Sequence, residues 1–179
     1  MKSVLITGGL GFVGSHLADE LLGQGHQVTI VDNCQSNAVE PSYFSGRCEV
    51  ILDKIEAARS QLAKSSTRKF DEIYHLASIV GPAGVLDYAG DIARSVIESG
   101  DVAVSMALDH DAKLIVASTS EVYGRKGHLN EDLDCIISPD VTVRLEYAAA
   151  KLTSEIAVLN KAKVTKLKVN VIRPFNISG

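Results

Sequence analysis

Residues 4–22 read VLITGGLGFVGSHLADELL, which divides into a short apolar run, a glycine-rich turn and a longer amphipathic segment. The run Val4–Ile6 is continuously apolar, as in a strand that is buried on both faces. From Phe12 to Leu22 the apolar residues recur at the spacing of a helix. The turn contains G-x-G-x-x-G, counted from Gly9, and G-x-x-G-x-x-G, counted from Gly8. A glycine turn that ends a strand and opens a helix is typical of a dinucleotide-binding unit.

The glycine turn suits a diphosphate for two physical reasons. Glycines let the backbone approach the anion, and the helix N-terminus supplies free N–H groups with a partial positive charge. Asp32 ends the second apolar run, 18 residues after Gly14, where a carboxylate accepts hydrogen bonds from ribose hydroxyls and repels a 2′-phosphate. We therefore expect NAD rather than NADP, although a tight turn and a surface aspartate would show the same letters. The residues assigned to this site are Gly8, Gly11, Phe12, Val13, Gly14, Asp32 and Asn33.

The rest of the chain alternates between short β-branched runs and longer helical patterns. Apolar runs joined by helices predict a parallel sheet covered on both sides, and right-handed crossovers favour a doubly wound, Rossmann-type α/β fold. Residues 1–179 are predicted to form one NAD-binding domain. Gly124–Asp140 is the longest non-periodic segment and a candidate functional loop. The predicted strands are Val4–Ile6, Gln27–Val31, Glu49–Leu52, Glu72–Leu76, Lys113–Ala117 and Lys168–Ile172, and the predicted helices are Phe12–Leu22, Ile55–Ala63, Ala83–Leu108 with a break near Gly100-Asp101, and Tyr147–Leu159.

Composition and charge argue against several classes of protein. Hydrophobic residues make up 46% of the chain and charged residues 22%, a balance typical of a folded domain. The formal net charge of −4 argues against a nucleic-acid partner, and no apolar run reaches the roughly 18–20 residues that cross a bilayer. The three cysteines form no C-x-x-C pair, so disulfides are not predicted. The five histidines show no H-x-x-x-H spacing, so a catalytic metal is not predicted. The N-terminus does not read as a signal peptide. These features indicate a reduced, cytoplasmic protein.

Two further groups of residues carry candidate chemistry. Tyr147 and Lys151 are four residues apart and share a helical face, where a lysine ammonium lowers the pKa of a neighbouring phenol and makes it usable as a base. By itself, this spacing is more often an exposed pair. The predicted fifth strand ends in STSE at residues 118–121, however, which places hydroxyls and a carboxylate at the strand end where ligands bind in open α/β sheets.

With these motifs in order, the chain resembles the extended short-chain dehydrogenase/reductases, the NAD-dependent epimerases and dehydratases of nucleotide sugars. The resemblance runs through all 179 residues. It rests on TGGLGFVG at Thr7–Gly14, Asp32, HLAS at His75–Ser78, STSEVYG at Ser118–Gly124, YAAAK at Tyr147–Lys151 and RPFN at Arg173–Asn176.

The resemblance implies a role for each matching catalytic residue. Thr119 would hydrogen-bond the sugar 4-hydroxyl, and Tyr147 would remove its proton while hydride passes from C4 to the nicotinamide. Lys151 would hold the nicotinamide ribose and tune Tyr147.

Other matches imply contacts with the cofactor and the substrate. Asp53 resembles the acid that contacts adenine, and Leu76, Ala77 and Ser78 would pass close to the cofactor. Asn176 resembles a residue that contacts the diphosphate of a nucleotide-sugar substrate.

The choice among reactions rests on the triplet Thr119-Ser120-Glu121. It looks like the triplet of UDP-glucuronate decarboxylases, the closest match in motif, and of GDP-mannose 4,6-dehydratases, whereas a simple 4-epimerase needs no extra acid. In a decarboxylase, oxidation at C4 makes a β-keto acid with Ser120 and Glu121 near the departing carboxylate, and in a dehydratase Glu121 would take the C5 proton. Arg144, three residues before Tyr147, also resembles the decarboxylase branch and is a candidate substrate contact. A 4,6-dehydratase, a 4-epimerase and a non-catalytic NAD-binding module stay open as alternatives.

Two last expectations concern assembly and extent. The resemblance implies a homodimer that pairs through the helix that bears Tyr147 and the long helix before the fifth strand. Leu152, Ile156 and Leu159 recur on one face of the helix that bears Tyr147, although the same residues could simply cover the sheet.

Relatives also continue past the RPFN segment into a smaller lobe that binds the nucleotide of the sugar. The 179 residues are therefore predicted to fold and bind NAD, with that substrate lobe absent and no measurable turnover of nucleotide sugars.

Overall fold

Parallel strands form the centre of the computed structural model, which describes residues 1–64, 68–79, 87–124, 129–132, 134–135 and 140–178. The strands found in these residues are β1 (Ser3–Thr7), β2 (Gln27–Asp32), β3 (Glu49–Leu52), β4 (Glu72–His75), β5 (Lys113–Ala117) and β6 (Lys168–Ile172). They pair in the order β3-β2-β1-β4-β5-β6, and every pairing is parallel. This is the strand order of a doubly wound Rossmann sheet, so the predicted fold class is confirmed.

Four α-helices and two 3₁₀-helices lie wholly within the described residues, between the strands. They are α1 (Phe12–Gly23), α2 (Ile55–Leu62), α3 (Ile92–His110) and α4 (Val143–Val164), with 3₁₀-helices at Pro41–Phe44 and Ser120–Tyr123. Asp111 ends α3 because it takes up a left-handed backbone conformation, with a φ of 53°.

Each face of the sheet buries its own hydrophobic core. On one face, strand residues such as Val4 and Ile6 pack against α1. On the opposite face, residues such as Leu5 and Ile73 pack against α2, α3 and α4. Successive side chains of a strand point to opposite faces, so a strand covered on both sides is apolar at consecutive positions. The continuous apolar run in β1 follows from this arrangement.

α3 differs from its sequence-based prediction. It begins at Ile92 rather than at Ala83, and residues 83–86 lie outside the described part of the chain. The break predicted near Gly100 and Asp101 is wrong, because α3 runs through both residues. A Cβ on Gly100 would lie 2.9 Å from Ser154 Oγ of α4, so this glycine lets two helices approach instead of ending one.

α4 is longer than the predicted Tyr147–Leu159. The Thr142 side chain accepts a hydrogen bond from the N–H of Leu145 at 3.1 Å and starts the helix one turn earlier. Despite its 22 residues, α4 carries too many charges for a membrane span, and no other helix in the described ranges is long and apolar enough. Of the predicted loop 124–140, the described residues are 124, 129–132, 134–135 and 140, and they lie outside helices and strands.

The carboxyl ends of the parallel strands all lie at one edge of the sheet. The strand order reverses between β1 and β4, because successive strands run outward in opposite directions from this point. Open α/β sheets bind ligands in the crevice at such a reversal. The candidate residues of the sequence lie at or just after these strand ends, at the start of α1 or on α4.

Candidate functional site

The glycine turn after β1 packs closely against the chain that follows β4. Gly8 has a positive φ of 72°, and a Cβ on it would lie 2.8 Å from the backbone nitrogen of Ala77. A Cβ on Gly14 would overlap the carbonyl oxygen of Gly8. A larger residue at either position would therefore push the turn away from α1 or β4.

The first turn of α1 presents backbone N–H groups that no side chain caps. Its N-cap residue is Gly11, and no acidic residue follows in the first turn. Phe12 and Val13 are 38% and 41% exposed at this end. Free N–H groups and the helix dipole make such a terminus an anion-binding position, so the turn and the helix start together form a cradle for a diphosphate.

Asp32 ties the end of β2 to the glycine turn. Its Oδ2 accepts a hydrogen bond from the N–H of Leu10 at 2.9 Å, and its Oδ1 accepts one from the N–H of Cys34 at 2.8 Å. A carboxylate has about four acceptor positions, so acceptor capacity remains for ribose hydroxyls. The neighbouring Asn33 is exposed, and its side-chain amide bonds to Gln35.

The ends of β3 and β4 bring further candidates to the same edge. Asp53 follows β3, and its Oδ1 accepts a hydrogen bond from the N–H of Lys54 at 2.8 Å. Leu76, Ala77 and Ser78 follow β4 and are half-buried beside the glycine turn. These four predicted cofactor contacts therefore lie at the edge of the sheet where the parallel strands end.

Tyr147 on α4 faces the ends of β4 and β5. Burial raises its pKa, hydrogen bonds with the hydroxyls of Ser78 and Thr119 partly offset that rise, and the charge of Glu121 adds to it. The expectation that Lys151 leaves the phenol with a lowered pKa is wrong here, because burial outweighs the other influences. The structure nevertheless brings the phenol beside the predicted hydroxyl partner, Thr119.

Lys151 is a buried cation one turn along α4 from Tyr147. Its side chain is almost completely covered, and Nζ donates a hydrogen bond to the carbonyl oxygen of Ala117 at 2.9 Å. Nζ lies 5.9 Å from the centre of the Tyr147 ring. Burial lowers the pKa of Lys151 to about 8, and the charge of Glu155 opposes this effect.

Ser120 and Glu121 begin the 3₁₀-helix that follows β5. The Thr119 hydroxyl accepts a hydrogen bond from the N–H of Glu121 at 3.3 Å, and the N–H of Ser120 donates to the carbonyl oxygen of Pro174 at 3.0 Å. Glu121 forms an ion pair with Arg144, and their side chains are 38% and 77% exposed. The structure thus joins the predicted acid and the predicted substrate contact at the open side of the site.

The RPFN segment after β6 contains a predicted contact and an overlooked one. Asn176 is exposed, four residues beyond β6. Arg173 forms a buried ion pair with Glu155 of α4 at 2.7 Å, which the sequence analysis missed. The sequence carried a signal for Glu155, which follows Lys151 by four residues and so shares its helical face, but that spacing does not indicate the pairing with Arg173.

Two other contributors near the site also escaped sequence reasoning. The Glu146 carboxylate accepts hydrogen bonds from the N–H groups of Gly90, at 2.8 Å, and Ala93, at 3.1 Å, and so joins α4 to the start of α3. His75 Nδ1 lies 2.8 Å from Thr7 Oγ1 between β1 and β4. Both contacts link residues more than 50 positions apart, which local patterns do not reveal.

The polar groups at this edge fit a dinucleotide. The Ser118 hydroxyl is buried and has no hydrogen-bond partner within the described residues, and the buried Ser78 hydroxyl has none besides the Tyr147 phenol. An unpaired buried polar group costs about 1–3 kcal/mol, so a polar ligand at this edge would satisfy groups that the protein leaves open. The described residues hold no cluster of three or more His, Cys, Asp and Glu side chains suited to a metal ion.

Known proteins match this chain over nearly its whole length. The model of the NAD-dependent epimerase/dehydratase family matches residues 4–179. The chain is 34% identical to a UDP-N-acetyl-alpha-D-glucosaminuronate decarboxylase of Bacillus cytotoxicus, over 99% of this chain and 55% of the relative. It is 33% identical to UDP-glucuronic acid decarboxylase 1 of Danio rerio, over 99% of this chain and 42% of the relative.

A solved structure shares the fold. The crystal structure of a UDP-glucose-4-epimerase from Stenotrophomonas maltophila, with bound NAD and formylated UDP-arabinopyranose, superposes with a TM-score of 0.80 at 25% identity. The match covers 97% of this chain and 52% of the epimerase.

This chain spans about half the length of the curated relatives it matches. NAD is the cofactor named for the matching family, and the strand order, glycine turn and Tyr147-Lys151 pair all lie in the matched range. The chain therefore belongs to the NAD-dependent epimerase/dehydratase family.

Proposed function

We propose that this chain carries the NAD site and the reacting side chains of an enzyme that oxidises a nucleotide sugar at C4 and decarboxylates a nucleotide-linked uronic acid. The observation that supports it most is the convergence of Thr119, Tyr147 and Lys151 beside the glycine turn, with Arg144 and Glu121 on the open side. The two curated relatives are both named as decarboxylases of UDP-linked uronic acids.

The cofactor would lie along the strand ends. The glycine turn and the start of α1 would hold its diphosphate, Asp32 its adenosine ribose and Asp53 its adenine. NAD, when bound, supplies the acceptor for the hydride that leaves C4. The negative charge of Asp32 disfavours a 2′-phosphate at the same place, which favours NAD over NADP.

Tyr147 is the proposed base for the sugar 4-hydroxyl. The Thr119 hydroxyl lies beside the phenol and would orient the 4-hydroxyl toward it. Because burial holds the pKa of Tyr147 above its usual range, the phenolate needs a nearby positive charge. The ammonium of Lys151, 5.9 Å from the ring centre, supplies that charge in a site where water screens little.

The exposed pair Arg144–Glu121 favours an acidic sugar over a neutral one. A guanidinium binds a carboxylate through two parallel hydrogen bonds, and exposed ion pairs are worth only about 0–1 kcal/mol. A uronic acid carboxylate can therefore exchange with Glu121 at Arg144, close to the Ser120 hydroxyl. Once C4 is a ketone, the C5–C6 bond breaks, CO₂ leaves, the electron pair moves onto the C4 oxygen as an enolate, and C5 then takes up a proton.

Turnover of a panel of UDP-, GDP- and dTDP-sugars by the protein as the cell makes it tests the proposal. We expect CO₂ release from UDP-glucuronic acid, and we expect Tyr147→Phe to abolish it while NAD affinity stays nearly unchanged. Tyr43→Phe is the matched control, since Tyr43 is half-exposed and bonds to Asp19 on α1. Epimerisation of a neutral sugar or loss of water without CO₂ would replace the decarboxylase proposal. Bound NAD with no turnover of any sugar would indicate a binding module.

Arg144→Gln tests the choice of substrate. We expect its KM for the uronic acid to rise at least about tenfold with little change in kcat, since a charge-assisted hydrogen bond contributes about 1.5–3 kcal/mol. Arg94→Gln is the control, because Arg94 is also exposed and, within the described residues, pairs with Asp91, the residue that precedes α3. An unchanged KM would remove Arg144 from the substrate site.

We also propose that the protein is a homodimer. Ile156 and Leu159 are 53% and 42% exposed on α4, so this apolar area is not used to cover the sheet and is available to a second copy of the chain. Light scattering at micromolar concentration should show a dimer, and Ile156→Asp should shift it toward monomer. A wild-type monomer would contradict this assembly.

The extent and location of the domain are proposals as well. We propose that residues 1–179 form one domain that binds NAD without turning over nucleotide sugars by itself, which calorimetric titration with NAD can check. Its three cysteines are free thiols, and we propose a cytoplasmic location.

A further inference from the structure

A buried ion pair links the middle of α4 to the segment after β6. Nε of Arg173 donates hydrogen bonds to both carboxylate oxygens of Glu155, at 3.1 Å each, and Nη2 donates to Oε2 at 2.7 Å. The side chains of Glu155 and Arg173 are 3% and 20% exposed. A planar guanidinium that grips a carboxylate in this way fixes its orientation as well as its charge.

Arg173 belongs to a segment that is itself fixed to the reacting edge of the sheet. The N–H of Ser118 donates to the carbonyl oxygen of Ile172 at 2.7 Å, and Ser120 donates similarly to Pro174. The guanidinium carbon of Arg173 lies 4.9 Å from the centre of the Tyr123 ring. The pair therefore connects α4 with the 3₁₀-helix that carries Ser120 and Glu121.

Lys151 lies one helical turn before Glu155, on the same face of α4. Both side chains are buried, and the hydrogen-bond acceptor of Lys151 is the carbonyl oxygen of Ala117, which carries no net charge. A buried ammonium is costly unless an anion lies nearby. The geometry makes Glu155 that anion, and its charge opposes the lowering of the Lys151 pKa by burial.

We propose that Glu155 is a positioning residue for this site: clamped by Arg173, it holds Lys151 in its ammonium form against Ala117 and so couples the segment after β6 to the charge beside Tyr147. The use of that charge in a reaction rests on the function proposed above. The charge state of Lys151 does not, and it can be measured without substrate.

Glu155 is the anion that offsets the charge of Lys151, because the other titratable groups described near Lys151 are uncharged or already paired. Burial lowers the pKa of His75 to about 3 and raises that of Tyr147, so both are uncharged near pH 7. Glu121 is paired with Arg144. Among the residues that the structure describes, the titratable and charged groups near Lys151, Tyr147 or the buried pair are His75 from β4, Tyr147 from α4, Glu121 and Tyr123 from the 3₁₀-helix, Cys135, and Arg173 from the segment after β6.

The test is an NMR titration of the Lys151 ¹³Cε signal in the 179-residue chain, assigned with Lys151→Met. We expect a wild-type midpoint near the value of about 8 set by burial. Glu155→Gln should lower the midpoint by at least about one pH unit, because two cations then share the buried site. Arg173→Gln should raise it, because Glu155 then faces Lys151 without a competing cation. Loosened packing alone would move both midpoints upward, toward the ordinary lysine value of 10.5.

A double variant guards against single variants that do not fold. Glu155→Met with Arg173→Met replaces the ion pair by apolar side chains of similar volume, an exchange that other buried pairs tolerate. Its midpoint should also fall below that of the wild type, whereas Glu49→Gln, which breaks a more exposed pair with Arg68, should leave it unchanged. A double-variant midpoint equal to that of the wild type overturns the proposal. Because neither NAD nor sugar enters the titration, that result would leave the decarboxylase proposal standing.

Discussion

Two arginine–glutamate pairs join α4 to the strand ends, and they differ chiefly in exposure. The side chains of Arg173 and Glu155 are 20% and 3% exposed, whereas those of Arg144 and Glu121 are 77% and 38% exposed. Water and salt screen an exposed pair, so its partners can exchange for a ligand at little cost. A buried pair cannot lose one partner without leaving a charge in a medium of low dielectric constant. The same two residue types therefore make a fixed link in one region and an exchangeable contact in the other.

The largest effect should come from breaking the buried pair on one side. Arg173→Met is expected to lower the free energy of unfolding by about 3–5 kcal/mol, because it leaves the Glu155 carboxylate buried and unpaired. Urea unfolding followed by circular dichroism measures this loss. Adding Glu155→Met in the same chain should restore most of the lost stability. A double variant as unstable as the single one would show that packing, rather than charge, explains the loss.

A smaller effect of opposite sign is expected at Lys151, a buried cation that donates its hydrogen bond to a carbonyl oxygen. Its pKa is about 8 in the folded protein and 10.5 in the unfolded chain, so between these values the unfolded chain holds the proton and the folded one does not. The unfolding free energy of the wild type should therefore rise with pH across this window. Lys151→Met removes the buried charge and should stabilise the protein by about 1–3 kcal/mol at pH 7, after the lost hydrogen bond to Ala117 is counted.

Urea unfolding of Lys151→Met at several pH values checks that prediction. The gain in stability should be largest below pH 8 and should shrink as the pH rises to 10.5, above which the wild-type lysine becomes neutral in both states. A gain that does not vary with pH would mean that better packing, rather than the removal of charge, stabilises the variant.

The smallest effect should come from the exposed pair. Arg144→Met is expected to change the unfolding free energy by less than about 1 kcal/mol, since both partners regain water when they separate. The same urea unfolding, run at low and high salt, measures it. A loss as large as that of Arg173→Met would erase the difference between the two pairs and would count against exchange of Glu121 for a substrate carboxylate.

Local sequence patterns were sufficient for the fold and for the location of most candidate residues at one edge of the sheet, whereas the roles of those residues stay predictions. The strand–glycine–helix pattern of residues 4–22 placed β1, α1 and the turn correctly, because each depends on contacts within a few residues. The four-residue spacing of Tyr147 and Lys151 placed both on one helix for the same reason. The break predicted at Gly100 failed because a glycine that ends a helix and one that lets a neighbouring helix approach look alike in the sequence.

The sequence by itself determined the alternation of strands and helices and the glycine turn, in which a Cβ on Gly8 or Gly14 would meet backbone atoms. Only the tertiary structure decided the charge states and pairings at the site. It showed that burial raises the pKa of Tyr147, that Glu121 pairs with Arg144, and that Glu155 pairs with Arg173. Helix and turn formation depend on neighbours in the chain, whereas desolvation and ion pairing depend on which distant segments cover a group and exclude water from it.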